Sequence, residues 1–89
     1  MSRPYIENKE GDYTVREFSK NTSTFEFVWH RDREDRYVQT THETDWKFQL
    51  DNKTPERLTE NKLFIPKETY HRLIKGSGDL KVKIFKIWN

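Results

Sequence analysis

Strand-sized runs of β-branched and aromatic residues recur along this chain roughly every 8–12 residues, each closed by turn chemistry. "YTVREF" (13–18) precedes "KNTS" (20–23), where Asn and Ser offer local side-chain-to-backbone hydrogen bonds. "TFEFVWH" (24–30) alternates Phe25, Phe27 and Trp29 on one face with Glu26, Val28 and His30 on the other. A charged corner, "DRED" (32–35), leads into "RYVQTT" (36–41), and "DWKFQL" (45–50) sets Trp46, Phe48 and Leu50 on one face. "DNKTPE" (51–56) is a turn, and "LFIP" (63–66) is an edge-like run stopped by proline. "TYHRLIK" and "LKVKIFKIW" flank "GSGD" (76–79), which predicts a hairpin. This rhythm is that of a β-sandwich or barrel.

Composition agrees. The chain has no alanine and nine threonines, so the best helix former is missing and residues suited to a half-buried sheet abound. Charged residues (36%) outnumber hydrophobic ones (31%), a balance that leans toward disorder. Against it stand 13 aromatic residues, each able to bury about 150–250 Å². The predicted core is therefore small and aromatic. Eighty-nine residues make one domain, which at this size buries only about 60–65% of its unfolded surface. A homodimer is expected on that ground. At the C-terminal end, Phe85, Ile87 and Trp88 break the Leu80-Val82-Ile84 alternation, which makes both faces of that end apolar. Residues 1–12, polar and carrying Pro4 and Gly11, read as a leader before a single domain over 13–89.

Several classes fall away. Without cysteine there is neither disulfide nor thiolate metal site. No apolar stretch is long enough to cross a membrane and no signal-like h-region opens the chain, so a cytoplasmic protein is expected. Residues 1–45 carry a net charge of −3 and residues 46–89 a net +5. In so charged a chain this reads as the solvated face of a sheet, with Lys81 and Lys83 facing water, and a nucleic-acid partner is not expected.

The residues that carry chemistry are few. His30 and Asp32 lie two apart, so on a strand an imidazole and a carboxylate project to the same face. His71, far downstream in "PKETYHRLI", would complete two histidines and one carboxylate, a set that suits a divalent metal with open coordination positions, typically non-haem Fe(II). Glu34 shares the parity of Asp32 if the strand continues and is the substitute carboxylate.

These stretches together resemble the cupin family. "WHRDREDRYV" is similar to the first cupin motif and "IPKETYHRL" to the second, with Pro66 and His71 in register, so the resemblance covers residues 24–88. The chain also resembles short cupin-like proteins of bacteriophage genomes. The resemblance implies an all-β double-stranded β-helix, a small cupin-like barrel, usually dimeric and often holding Fe, Mn, Ni or Zn. Three departures stand out: Asp32 occupies the place of the second histidine, the motif's glutamate would fall at about Arg36 or Tyr37 whereas Glu34 and Asp35 come too early for it, and Glu68 replaces the glycine of the second motif. Three function classes are compatible with the sequence. They are a metal-binding cupin with or without catalysis, a metal-free module binding a small polar ligand or a protein, and a small β-barrel binding nucleic acid.

Overall fold

The structure, a computed structural model, describes residues 6–21 and 27–87, which form eight strands and no α-helix. The strands are β1 Ile6–Glu10, β2 Tyr13–Phe18, β3 Asp35–Thr40, β4 Lys47–Leu50, β5 Glu56–Arg57, β6 Leu63–Ile65, β7 His71–Ile74 and β8 Leu80–Ile87. They make two antiparallel sheets, one ordered β1-β2-β8-β3-β6 and the other β5-β4-β7. Among the described residues no helix is long and apolar enough to cross a membrane.

The period of two explains the core. Across β2 and β8, Phe18 faces Leu80, Arg16 faces Val82 and Thr14 faces Ile84; on the other side of β8, Val38 faces Ile84. These side chains share one face, and the small sheet meets it with Trp46, Phe48 and Leu73. Trp46 and Leu80 are the largest fully buried side chains, and burying such a residue is worth roughly 1.5–3 kcal/mol. Lys81 points outward as the alternation requires. On that outer face the rings of Tyr13 and Phe85 lie 5.2 Å apart and those of Tyr37 and Phe64 5.1 Å apart. Lys62 and Lys83 sit over Phe85 and Tyr13 at 4.3 and 5.0 Å.

Three expectations need correction. Residues 6–10, within the stretch read as a leader, form β1 and pair along their whole length with β2. A turn at Gly11, whose φ is +62°, folds the polar segment back. An edge strand is held by backbone pairing, so it needs few apolar side chains. Second, "GSGD" does not close a hairpin, because β7 and β8 belong to different sheets. The loop crosses the end of the barrel instead. Asp45 accepts bonds from the Ser77 amide and hydroxyl, and the Trp46 indole donates to the Gly78 carbonyl at 2.7 Å. A Cβ at Gly76 would overlap the Asp45 carboxylate and the Trp46 ring, so the crossing requires glycine there. Third, residues 27–30 form no strand beyond a single bridge at His30. Phe27 packs on Trp46, but Trp29 is exposed and lies under the Arg72 guanidinium. Phe25, Glu26 and Trp88 lie outside the described residues.

Candidate metal centre

His71 opens β7, and the alternation of that strand turns its side chain inward beside Phe48, with ring centroids 5.3 Å apart. In the sheet it is paired with Leu50 on one side and His30 on the other. His30 and His71 exchange both backbone hydrogen bonds, at 3.0 and 2.8 Å. Such a pair places side chains next to each other on one face, and the two imidazoles meet edge to face at 4.4 Å. Both are buried.

Each ring is oriented by a backbone carbonyl two residues before it. Nδ1 of His30 lies 2.7 Å from the Val28 oxygen and Nδ1 of His71 lies 2.8 Å from the Thr69 oxygen. A carbonyl only accepts, so Nδ1 must carry the proton in both rings. In the neutral state Nε2 then presents its lone pair, which is the tautomer a metal ligand needs.

Asp32 completes the group. It lies in the loop between the His30 bridge and β3, held where the Glu68 amide donates to the Asp32 carbonyl at 2.7 Å. Glu68 has φ +59°, a left-handed conformation that costs an ordinary residue about 1–2 kcal/mol. The backbone thus keeps the geometry for which glycine is suited, although a glutamate occupies the position. One Asp32 oxygen meets Arg36 at 3.3 Å and the other lies 3.1 Å from Nε2 of His71. Ligand atoms of His30, Asp32 and His71 all fall within 4.8 Å of one another. Opposite donors around an ion with bonds of about 2.1 Å are separated by roughly 4.2 Å, so one ion can span this group with small adjustments.

Burial opposes the charge on Asp32, but the hydrogen bond from His71 and the nearby charge of Arg36 outweigh it and hold the carboxyl below its usual range. That bond exists only when His71 carries a second proton. With both imidazoles neutral, the Nε2 lone pair of His71 faces a carboxylate oxygen that has no other hydrogen bond. The arrangement calls for a cation between the two atoms, either a proton or a metal ion.

The structure therefore brings His30, Asp32 and His71 together and leaves Glu34 aside. Residues 31–34 form no strand and the backbone bends at 33 and 34, so the parity that would have aligned Glu34 with Asp32 is lost. Glu34 is buried against Arg36, whose Nε and Nη2 both reach its Oε1 at 2.6 Å. Two cavity residues escaped the sequence reading. Arg16 and Arg36 line, with Asp32 and His71, a cavity of about 50 Å³ whose other walls are apolar. The signal for Arg16 was present in "YTVREF", where it falls between Thr14 and Phe18 on the inward parity.

No protein-family model matches the chain, and no curated protein matches it. Solved structures do. A cupin domain from Bordetella pertussis Tohama I superposes with a TM-score of 0.65 at 18% identity, covering 99% of both chains. Protein NMB1881 from Neisseria meningitidis gives 0.63 at 14%, over 93% of this chain and 82% of that one. A chain from the crystal structures of the DMSP lyases RdDddP and RnDddQII gives 0.70 at 13%. It matches 85% of this chain, which spans only 37% of that longer one. At such identities the likeness concerns the fold, and the fold is cupin-like and all-β, as the sequence motifs implied.

Proposed function

We propose, on the premise of a cupin-like fold, that this protein holds a divalent first-row metal ion between Nε2 of His30, Nε2 of His71 and the Asp32 carboxylate, and presents it to a small polar ligand. The observation that carries this reading is the pair of carbonyl-locked imidazoles converging on a carboxylate that is already biased toward its charged form. The nitrogen and oxygen donors suit Fe, Mn, Ni or Zn. A bound ion would supply Lewis acidity toward a ligand oxygen. The protein's own share is positional: Val28 and Thr69 fix the rings, Arg36 holds the second Asp32 oxygen, and apolar side chains line most of the adjoining cavity.

Thermal melts of tag-free protein during titration with Zn(II), Ni(II) and Mn(II) test this. The melting temperature should climb with free metal, because a ligand bound only by the native state stabilises by mass action, about 2.7 kcal/mol at 100 times Kd. The gain should fade on acidification, since the imidazoles must be neutral to ligate. His71→Ala should remove the metal-dependent part.

A second reading is favoured by the 3.1 Å contact itself, which suits a buried imidazolium–carboxylate pair in a metal-free module. In that case His71→Ala lowers stability equally with and without metal.

We infer also that a second copy of the chain covers the outer face of the large sheet. By strand alternation the Tyr13, Phe85, Tyr37 and Phe64 band shares that face with Glu10, Glu17 and Asp35 and with Lys62, Lys81 and Lys83. A band with balanced charges is complementary to itself, whereas a nucleic-acid platform would carry an excess of cations. Light scattering should show a dimer that Tyr37→Ser combined with Phe64→Ser dissociates. A monomer at high concentration, or RNA binding with a steep salt dependence, would overturn this.

A further inference from the structure

The chain segment that carries His30 leaves a bare strand edge. His30 and His71 form a hydrogen-bonded antiparallel pair. In such a pair the flanking residues turn their backbone N–H and C=O groups away from the partner strand. Side chains carry the register past the bridge on both sides: Trp29 meets Arg72, and Arg31 meets Tyr70. The outward backbone groups are therefore those of Trp29 and Arg31, and among the described residues they make no hydrogen bond. Proteins blunt open edges with charge or proline. The edge strand β1 carries Glu7, Lys9 and Glu10, and β6 is followed by Pro66. Residues 28–30 have no lysine, carboxylate or proline, and Val28 and Trp29 are 50% and 43% exposed.

The side chains beside this edge indicate what it takes. The Arg72 guanidinium lies 4.9 Å from the Trp29 ring centre, and its Nε donates to Oε1 of Gln49 at 2.9 Å. Its two Nη groups make no hydrogen bond or ion pair among the described residues. Arg31 lies over Tyr70 at 5.3 Å and meets Glu68 at 3.3 Å, in a pair so exposed that it exchanges easily. Two guanidiniums thus share one carboxylate. Lys47 and Asp51, at either end of the β4 row on the same face, offset each other. A guanidinium fixed by stacking and by one hydrogen bond is ready for a carboxylate. Trp, Tyr and Arg are also the side chains that carry most interface energy. A nucleic acid would require a row of open cations tracking successive phosphates. Here a single fork is open.

We propose that residues 28–31 take up an acidic peptide segment of another protein as an added strand. Its backbone pairs with Trp29 and Arg31, and its acidic side chains, at every second position, share the face of Trp29, Arg31 and Arg72. The histidine rings turn to the opposite face, so this docking requires no metal.

Fluorescence anisotropy with a fluorescein-labelled Val-Glu-Val-Glu-Val-Glu peptide tests this. Saturable binding is expected, with the Val-Lys counterpart at least about tenfold weaker, the scale of one charged hydrogen bond. N-methylation of alternate peptide amides should abolish binding for the set that faces the protein and spare it for the other set. These probes leave the protein untouched, so they decide the matter even where a variant fails to fold. Arg72→Met and Trp29→Ser should each weaken binding about tenfold, whereas Lys83→Met, on the outer face of the large sheet, should not. Hydrogen exchange at the Trp29 and Arg31 amides should slow when the peptide binds. Absence of saturable binding, equal affinity for the Val-Lys peptide, or tolerance of both methylated sets would overturn the proposal. Tighter binding of a thymidine oligonucleotide than of the acidic peptide would overturn it in favour of nucleic acid.

Discussion

The two ends of the barrel treat their polar groups in opposite ways. At the end closed by residues 75–79, the crossing loop is tied down by hydrogen bonds to groups of the protein itself. The Trp46 indole reaches the Gly78 carbonyl, Asp45 takes both the amide and the hydroxyl of Ser77, and Lys20 donates its amide to Asp79. The hydrogen bonds from Ser77 hold the Asp45 carboxyl below its usual range. At the opposite end, two imidazoles and a carboxylate are oriented as carefully, but toward one another, with an acceptor facing an acceptor unless a cation intervenes. The same types of residue serve closure at one end and a site at the other. What separates them is whether the carboxylate finds its donors in neighbouring protein groups, as Asp45 does in Ser77, or faces an imidazole lone pair, as Asp32 does with neutral His71.

That contrast predicts a ranking of effects. The largest belongs to the closed end. Trp46→Ala should cost about 3–5 kcal/mol by denaturant unfolding, because the indole is completely buried among Phe18, Phe27 and the Gly78 loop. The loss should be the same with and without metal. A metal-dependent loss would mean that the two ends are coupled.

Gly76→Ala should follow, at about 1–3 kcal/mol, since the added methyl forces Trp46 or Asp45 to shift. A neutral result would show that the crossing loop moves aside easily.

The acid limb of metal-free protein probes the open end. Asp32 has a depressed pKa in the folded state, so its contribution is complete above the ordinary carboxylate value near 3.8 and is lost as pH falls through the lower, folded value. Stability of Asp32→Asn should therefore fall less steeply than wild type below about pH 4. Parallel acid limbs would show that the histidine–carboxylate contact contributes nothing to folding.

The smallest effect is expected at Glu68. Replacing it with glycine relieves the left-handed backbone but adds unfolded-state freedom and removes the exposed Arg31 pair, for a net gain of at most about 1 kcal/mol. A loss would indicate that the Arg31–Glu68 pair matters more to the open end than its exposure suggests.

The sequence by itself determined what a period of two can encode. Alternation in "LKVKIFKI" and "DWKFQL", the turns between runs and the missing alanine specify strands, and they specify which side of each becomes core: Leu80, Val82, Ile84, Trp46 and Phe48 are all buried. His30, Asp32 and His71 were legible as a candidate set because two imidazoles and a carboxylate suit a divalent metal and His30 and Asp32 lie two apart. Their convergence was not, because it depends on a bridge between residues 41 positions apart and on a loop that ends the strand parity before Glu34. Local pattern says nothing about which sheet a strand joins, so the "GSGD" crossing and the pairing of the polar β1 were decided in three dimensions. Gly76 shows why: its role is set by the Asp45 and Trp46 atoms that approach it, and those lie some thirty residues away in the chain. Tertiary structure also decided the charge of the cavity. Arg16 reads as an ordinary charged residue in an alternating strand until the barrel closes around it, at which point it is a buried cation in the cavity wall that meets Glu7.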